Sequence, residues 1–153
     1  YTNIGPIASH PFQVATSLPD STLAQKSLKQ FDFGSSDWTR LVFLDGYYSE
    51  QLSSLSGVSA GINIVNLSEE FQKHPDAIDH QLAQQAEYNT NAFTALNTAF
   101  IHDGSLIEIP DNTTLEHPVH LLYLSTTEKQ DSVSHPRSLI KIGENSAVTL
   151  VDT

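Results

Sequence analysis

The spacing of hydrophobic residues changes from helix-like to strand-like at Asp103–Gly104. Before this pair, Phe93, Leu96 and Phe100 recur three and four positions apart, which is the spacing of one helix face. After it, apolar residues come in short runs of the kind that form strands. The pattern predicts a helix that ends at the Asp-Gly turn and whose three apolar side chains pack on the first of several strands.

The strand-like half of the chain repeats itself. Leu106–Leu115 aligns with Leu139–Val148 at an offset of 139 − 106 = 33 residues, and each copy reads strand, breaker residue, acidic-Asn turn, strand. Val119–Leu124 supplies a further strand between the two copies. Repeats of this kind stack as the rungs of a β-solenoid, in which each rung covers the apolar side chains of the next. An antiparallel meander is the alternative arrangement.

The front half mixes helices and strands. Leu41–Leu44 is a strand-like run, and Asp45–Gly46 after it favours a hairpin turn because both residues tolerate positive φ. Ile62–Leu67 alternates apolar and polar residues, as a half-buried strand does. Helix starts are predicted at Ser68, acting as an N-cap, and at Pro75, which suits a first helical turn.

Charge and composition narrow the function classes. The net charge is −11, from 18 acidic and 7 basic residues, so the surface repels phosphate backbones and anionic lipids. Cysteine is absent, which excludes disulfides, thiolate zinc sites and thiolate ligation of an iron–sulfur cluster within these residues, and suits a reducing compartment. The sequence has no methionine and stops in a strand-like run, so we expect a fragment of a longer chain.

The histidines invite a metal hypothesis, but their spacing is poor. His117 and His120 are three apart on a predicted strand, where an odd separation points side chains to opposite faces. His74 and His80 are six apart across a helix start, and His135 precedes a proline. A transition-metal site needs several converging ligands. We therefore interpret each histidine as a surface or hydrogen-bonded core residue and assign no metal ligand.

The charged residues suggest no catalytic pair. Asp76 and Asp79 share a helix face, but they lie in the first turn, where the helix dipole favours acids. Glu87 lies apart from them, near the end of the predicted helix. Arg137 is expected to pair with an acid from a neighbouring rung. No catalytic, cofactor-binding or metal-binding residue is assigned.

An ordered set of short motifs runs through both halves. The set comprises Arg40–Gly46, Asn66–Phe71, Leu96–Phe100, Asp103–Gly104, Ile109–Pro110, Glu116–Tyr123 and Ser134–Ile140. In this order and spacing it resembles the SufB/SufD family of iron–sulfur cluster assembly proteins. The resemblance is to SufD more than to SufB, because cysteine is absent and segments 93–104 and 134–140 match SufD more closely. It covers residues 38–153 well and 1–37 faintly.

The resemblance implies a mainly β fold: a truncated right-handed parallel β-helix over residues 104–153, behind a small N-terminal α/β region over 1–103. It implies a non-catalytic subunit of a cytoplasmic scaffold complex that assembles iron–sulfur clusters with SufB-like and SufC-like subunits, the latter an ATPase. It implies that this part of the chain binds no cofactor of its own, and that the partner-binding residues lie beyond 153. The open rung near Val148–Val151 is expected to self-associate.

Two other functions stay open on the residues alone. A β-helix enzyme acting on polysaccharides would cluster carboxylates and basic residues in one groove. Here the acids fall at predicted turns and the basic residues are sparse, which argues against it. A histidine-based metal-binding module is the second alternative.

Overall fold

The chain is described by a computed structural model over residues 3–31, 36–126 and 131–153. The side chains of residues 23, 26, 27, 77–80 and 83 lie outside that description, and the predictions for Asp79 and His80 lie outside it with them. In chain order the elements are α1 Gly5–Ser9, β1 Gln13–Val14, α2 Ser21–Leu28, a 3₁₀ turn Lys29–Phe31, β2 Thr39–Leu44, β3 Tyr47–Tyr48, β4 Asn63–Asn66, α3 Leu67–Lys73, α4 Pro75–Gln85, α5 Ala92–Ala99, β5 Gly104–Ile109, β6 Val119–Leu124, β7 Ser132–Val133, β8 Arg137–Ile142 and β9 Leu150–Asp152.

The local signals of the front half are largely confirmed. Asp45 and Gly46 have φ of 47° and 86° and join β2 to β3 as an antiparallel hairpin. Helix α4 begins at Pro75, as predicted. The cap assigned to Ser68 is wrong, because α3 already begins at Leu67 and the N-cap position is occupied by Asn66.

Two sheets carry most of the strands. The first has the order β3-β2-β6-β9, in which only the β2–β3 pair is antiparallel. The second has the order β4-β5-β8, with β4 antiparallel and β8 parallel to β5. A small parallel pair joins β1 to β7. In both larger sheets the pairing is therefore parallel toward one edge strand, β9 or β8. The strand at the opposite edge, β3 or β4, comes from the front half of the chain.

The 33-residue repeat is confirmed as a structural register. Leu106 pairs with Leu139, and the register holds along the whole of β5 and β8. It continues through the turns, where Asn112 and Asn145 have φ of 56° and 55° and their side-chain amides lie 3.4 Å apart. The second part of each copy also pairs in parallel, through the bridge between Thr114 and Ala147. Strands β6 and β9, which follow the two copies, are parallel as well, so the antiparallel meander is excluded for these strands.

Three apolar clusters hold the sheets together. The central one lies between the two larger sheets, and Leu41, Phe43 and Ile107 are among its fully buried members. A second cluster packs α2 on the outer face of β2 and β6 through residues such as Leu122. A third packs α3 and α4 on the outer face of β5 and β8, around Leu106. Because successive side chains of a strand point to opposite faces of the sheet, each of these strands contributes side chains to two cores.

The predicted packing of α5 is wrong. Phe93, Leu96 and Phe100 are 48%, 42% and 48% exposed, so they do not cover the first rung. The half-buried face of the helix carries Thr94, Ala95, Asn97 and Thr98. The helix is anchored by polar contacts and is turned so that its apolar stripe faces away from the sheets. The predicted boundary between residues 103 and 104 stays a prediction.

Candidate assembly interface

The last pair of strands leaves the central core uncovered at one end. In β5, Ile107 and Ile109 point into that core and are buried. Their register partners in β8, Ile140 and Ile142, are 37% and 49% exposed. Strands β8 and β9 are also the outermost members of their sheets. Unpaired backbone groups and exposed inward-facing side chains together form a surface on which a further strand pair would stack.

A groove runs along this edge. It has a volume of about 710 Å³ and lies between α4 and β8, lined by Gln81, Gln84, Gln85 and Ser138–Lys141. Its walls combine amide side chains with the backbone of an edge strand. Such a groove offers hydrogen bonds to an extended segment, as β-strand addition requires.

A charged ladder crosses the second sheet beside the groove. Asn63, Glu108 and Lys141 are register partners on β4, β5 and β8. Lys141 Nζ donates to Glu108 Oε1 over 2.7 Å, and Asn63 Nδ2 donates to Glu108 Oε2 over 2.8 Å. These two hydrogen bonds, first that of Lys141, lower the pKa of the Glu108 carboxyl. The ladder fixes the register of the three strands on their polar face.

Replacing Glu108 with glutamine removes its ion pair with Lys141 and is expected to lower the free energy of unfolding by roughly 0.5 kcal/mol at pH 7. The effect is small because both side chains are at least a third exposed and the pair is screened by solvent. The folded-state pKa is depressed, so the stabilisation is present above the unfolded-state pKa and is lost as the pH falls through the folded value. Urea unfolding at pH 7 and at about pH 3 checks this, with Glu116→Gln at an exposed position as the control. A difference that persists unchanged in acid would contradict it.

Hydroxyl groups link the two sheets. Ser105 Oγ donates to Ser138 Oγ over 2.8 Å, and the Tyr123 hydroxyl lies 2.8 Å from the same Ser138 oxygen. Burial raises the pKa of Tyr123, which keeps its hydroxyl protonated at neutral pH. Sequence reasoning missed this network, because three hydroxyl residues on three separate strands leave no local pattern.

Asp103 forms a clamp at the junction between the two halves. The residue is buried, and its carboxylate accepts hydrogen bonds from the backbone N–H groups of Tyr48, Ser68 and Gly104 at 2.9, 2.9 and 2.8 Å. These groups belong to β3, the first turn of α3 and the start of β5. One side chain therefore positions three elements, whereas the Asp-Gly pair had indicated only a turn. The signal in the sequence for a buried Asp103 was its position between two apolar residues, Ile101 and Leu106.

The histidines do not converge among the described residues. His120 is buried with Nε2 2.8 Å from Thr153 Oγ1, while His117 lies in the bend before β6 and His74 is exposed between α3 and α4. His135 contacts the ring of Phe100, and burial lowers its pKa. Among the described side chains, which leave out those of Asp79 and His80, no three histidine, aspartate or glutamate residues come together as a metal site would require.

Among the side chains that the structure describes, Arg137 contacts no acid, in contrast to the prediction. Its guanidinium donates from Nε to Asn97 Oδ1 over 2.8 Å, and from Nη1 and Nη2 to the carbonyl oxygens of Leu82 and Thr94 at 3.4 and 3.5 Å. The contacts join β8 to α4 and α5. The guanidinium therefore anchors α4 and α5 on β8.

Among the described helices, none has the length and apolar character needed to cross a bilayer.

Comparison with known proteins decides the family. Residues 1–121 match the family model of the SufBD protein N-terminal region, which is more than half of the chain. The chain belongs to the SufBD family. The match ends within β6, so the SufBD N-terminal region includes the Asp103 clamp and α5, while β8 and β9 follow it.

Individual relatives agree with this membership. The iron–sulfur cluster assembly SufBD family protein slr0076 of Synechocystis is 29% identical over 115 residues, covering 75% of this chain and 25% of the relative. ABCI9 of Arabidopsis thaliana is 29% identical over 111 residues, covering 70% and 23%, and ycf24 of Trieres chinensis is 32% identical over 92 residues, covering 60% and 18%. Both carry the same family description. The chain thus spans a quarter or less of these SufBD proteins.

Proposed function

We propose that this chain is the N-terminal part of a non-catalytic scaffold subunit for iron–sulfur cluster assembly, working in the cytoplasm with a SufB-like chain and a SufC-like ATPase. Membership of the SufBD family supports the assembly role, since the relatives are named iron–sulfur cluster assembly proteins. Within the family, we propose a SufD-like rather than a SufB-like subunit, on the motifs of residues 93–104 and 134–140.

The observation that carries the proposal is the pair of parallel rungs with an uncovered end. Two copies stack at 33 residues, and Ile140 and Ile142 are exposed where Ile107 and Ile109 are buried. We propose that the rungs begin a right-handed parallel β-helix, and that the next rung of a longer subunit covers these side chains. A stack of rungs gives a rigid, extended surface for partner proteins.

The proposed subunit binds and positions partners and does not itself catalyse a reaction. The chemistry of cluster transfer belongs to the assembled complex, and the clusters are its cargo. We propose that these residues hold no cofactor, since the carboxylates of Asp111, Glu108 and Asp103 accept hydrogen bonds in a turn, in the strand ladder and in the junction clamp.

Affinity purification of the natural protein from its own cells under gentle lysis tests the function. We expect an ATPase subunit and a second SufBD-family chain to be recovered with it. The histidine-based alternative is tested by elemental analysis of the same preparation. Zinc, copper or iron that is equimolar with the protein, and that is lost when His120 and His135 are replaced, would favour the metal-binding module instead.

A further inference from the structure

Helix α4 forms one wall of the groove of about 710 Å³ beside β8. Four consecutive residues of the strand, Ser138–Lys141, form the opposite wall. Because successive side chains of a strand point to opposite faces, a groove lined by all four follows the backbone edge and not one face. Strand β8 is the outermost member of its sheet. The groove therefore lies where the next hydrogen-bonded strand would lie, about 4.8 Å from β8.

Gln81 lines this groove and has a polar atom that lacks a partner. Its Oε1 oxygen is hidden from solvent and accepts no hydrogen bond from the residues that the structure describes. Leaving a buried amide oxygen in this state is costly, and buried polar groups are nearly always paired. The last torsion of a glutamine side chain is soft, so the amide can turn toward the groove. We therefore expect the occupant of the groove to supply a hydrogen-bond donor.

The other polar groups of the groove suit an extended backbone. Gln84 and Gln85 carry exposed side-chain amides, each with two N–H donors and one acceptor oxygen. The Lys141 ammonium has three N–H donors, one of which is directed at Glu108. Together with the N–H and C=O groups along the edge of β8, they match the donors and acceptors of an added strand.

A row of leucines leads into the groove at the spacing of the repeat. Leu106 and Leu139 are register partners, and both belong to the apolar cluster that Leu82 of α4 joins. Leu139 also lines the groove. A strand added beside β8 in the same register would place a third side chain in this row. An apolar residue at that position would extend the cluster under α4.

A segment of the same chain is the occupant that the repeat favours. The chain leaves Leu106 and returns to the same sheet at Leu139, 33 residues later and one strand further along. One more repeat would bring its strand to the free edge of β8. Because this pairing is intramolecular, the segment has a high effective concentration compared with a separate protein. The relatives described above are long enough for further repeats, since the matched part is a quarter or less of each.

We propose that the groove between α4 and β8 receives the strand that lies about one repeat of 33 residues beyond β8 in the natural protein, and that Gln81 forms a hydrogen bond with the backbone of this strand. In this arrangement α4 covers the added strand as well as β8 and fastens the continuing stack to the N-terminal region. The proposal rests on the proposed function, which supplies the next rung, and adds the site at which that rung is held.

Site-specific photocrosslinking in the natural full-length protein tests the occupant. Gln84, an exposed residue that lines the groove, is replaced by p-benzoylphenylalanine, and Gln72, exposed on α3, is replaced in the same way as the control. We expect illumination to join position 84, but not position 72, to a peptide of the same chain about one repeat beyond β8, identified by mass spectrometry. A crosslink from position 84 to another protein or to another part of the chain, or no crosslink, would overturn the proposal.

Hydrogen exchange in the same protein separates the role of Gln81 from the stack itself. In Gln81→Ala we expect the amides of the added strand to exchange about tenfold faster than in the wild type, because one hydrogen bond is lost. Gln72→Ala should leave their exchange unchanged. Equal exchange in the two variants would overturn the role of Gln81 and leave the stack in place. Fast exchange of the edge amides of β8 in the wild type would instead overturn the proposal together with the proposed function, because no strand would then cover that edge.

Discussion

Replacing Asp103 with alanine is expected to lower the free energy of unfolding by about 3–4 kcal/mol. It removes the shared acceptor of three N–H groups, one buried and two partly buried, and leaves them without this hydrogen bond. The donors are the backbone groups of Tyr48, Ser68 and Gly104. Because they belong to a hairpin, a helix start and strand β5, the loss loosens the attachment of the front half to the strands that follow Asp103. Urea or thermal unfolding measures the effect.

Two variants make the Asp103 experiment specific. Asp103→Asn keeps one carbonyl oxygen as an acceptor, so its loss of stability should be intermediate. Asp152→Ala removes an exposed acid in β9 and should change stability by no more than about 0.5 kcal/mol. If Asp103→Ala were as stable as Asp152→Ala, the clamp would not stabilise the junction between the two halves.

Replacing Gly104 with alanine is the second large effect we expect. A Cβ there would lie 1.7 Å from the carbonyl oxygen of Arg137 and 2.7 Å from its carbon, both backbone atoms of the neighbouring strand β8. Gly104 and Arg137 are the first register partners of β5 and β8, so the clash falls where the two strands begin to pair. The strands must separate at this end, and we expect a loss of at least about 3 kcal/mol, measured by thermal unfolding.

Gly61→Ala is the matched control for this substitution. Gly61 also has positive φ, +91°, but a Cβ there would meet only Pro110 Cγ at 3.9 Å. Its cost should be that of the backbone conformation alone, about 1–2 kcal/mol. Equal losses for the two variants would mean that positive φ, and not the close approach of β5 and β8, makes glycine necessary at position 104.

Much of the strand architecture was predictable because it depends on local pattern and repetition. The match of Leu106 to Leu139 gave the register of β5 and β8, and Asn112 and Asn145 fall at equivalent turns with the positive φ that asparagine tolerates. Asp45–Gly46 gave the hairpin for the same reason. Each of these signals lies within a few residues or is repeated, so it can be read without knowing the tertiary fold.

What depends on distant partners was not predictable. The spacing of Phe93, Leu96 and Phe100 defines a stripe but not the direction in which it faces, and that direction is set by Arg137 some forty residues later in the chain. Arg137 itself contacts a side-chain amide and backbone carbonyl groups, and the composition of the chain does not indicate such contacts. Pairing of β2 with β6 likewise joins Thr39 to Val119, a separation that no periodicity reports.

The composition of the natural complex tests the central claim most directly. The protein should be purified by affinity from its own cells under gentle lysis and examined by native mass spectrometry. The account predicts a mass that contains this protein, an ATPase subunit and a second SufBD-family chain, all identified by peptide sequencing. A mass equal to this protein alone, in preparations where the ATPase is recovered with other partners, would contradict it.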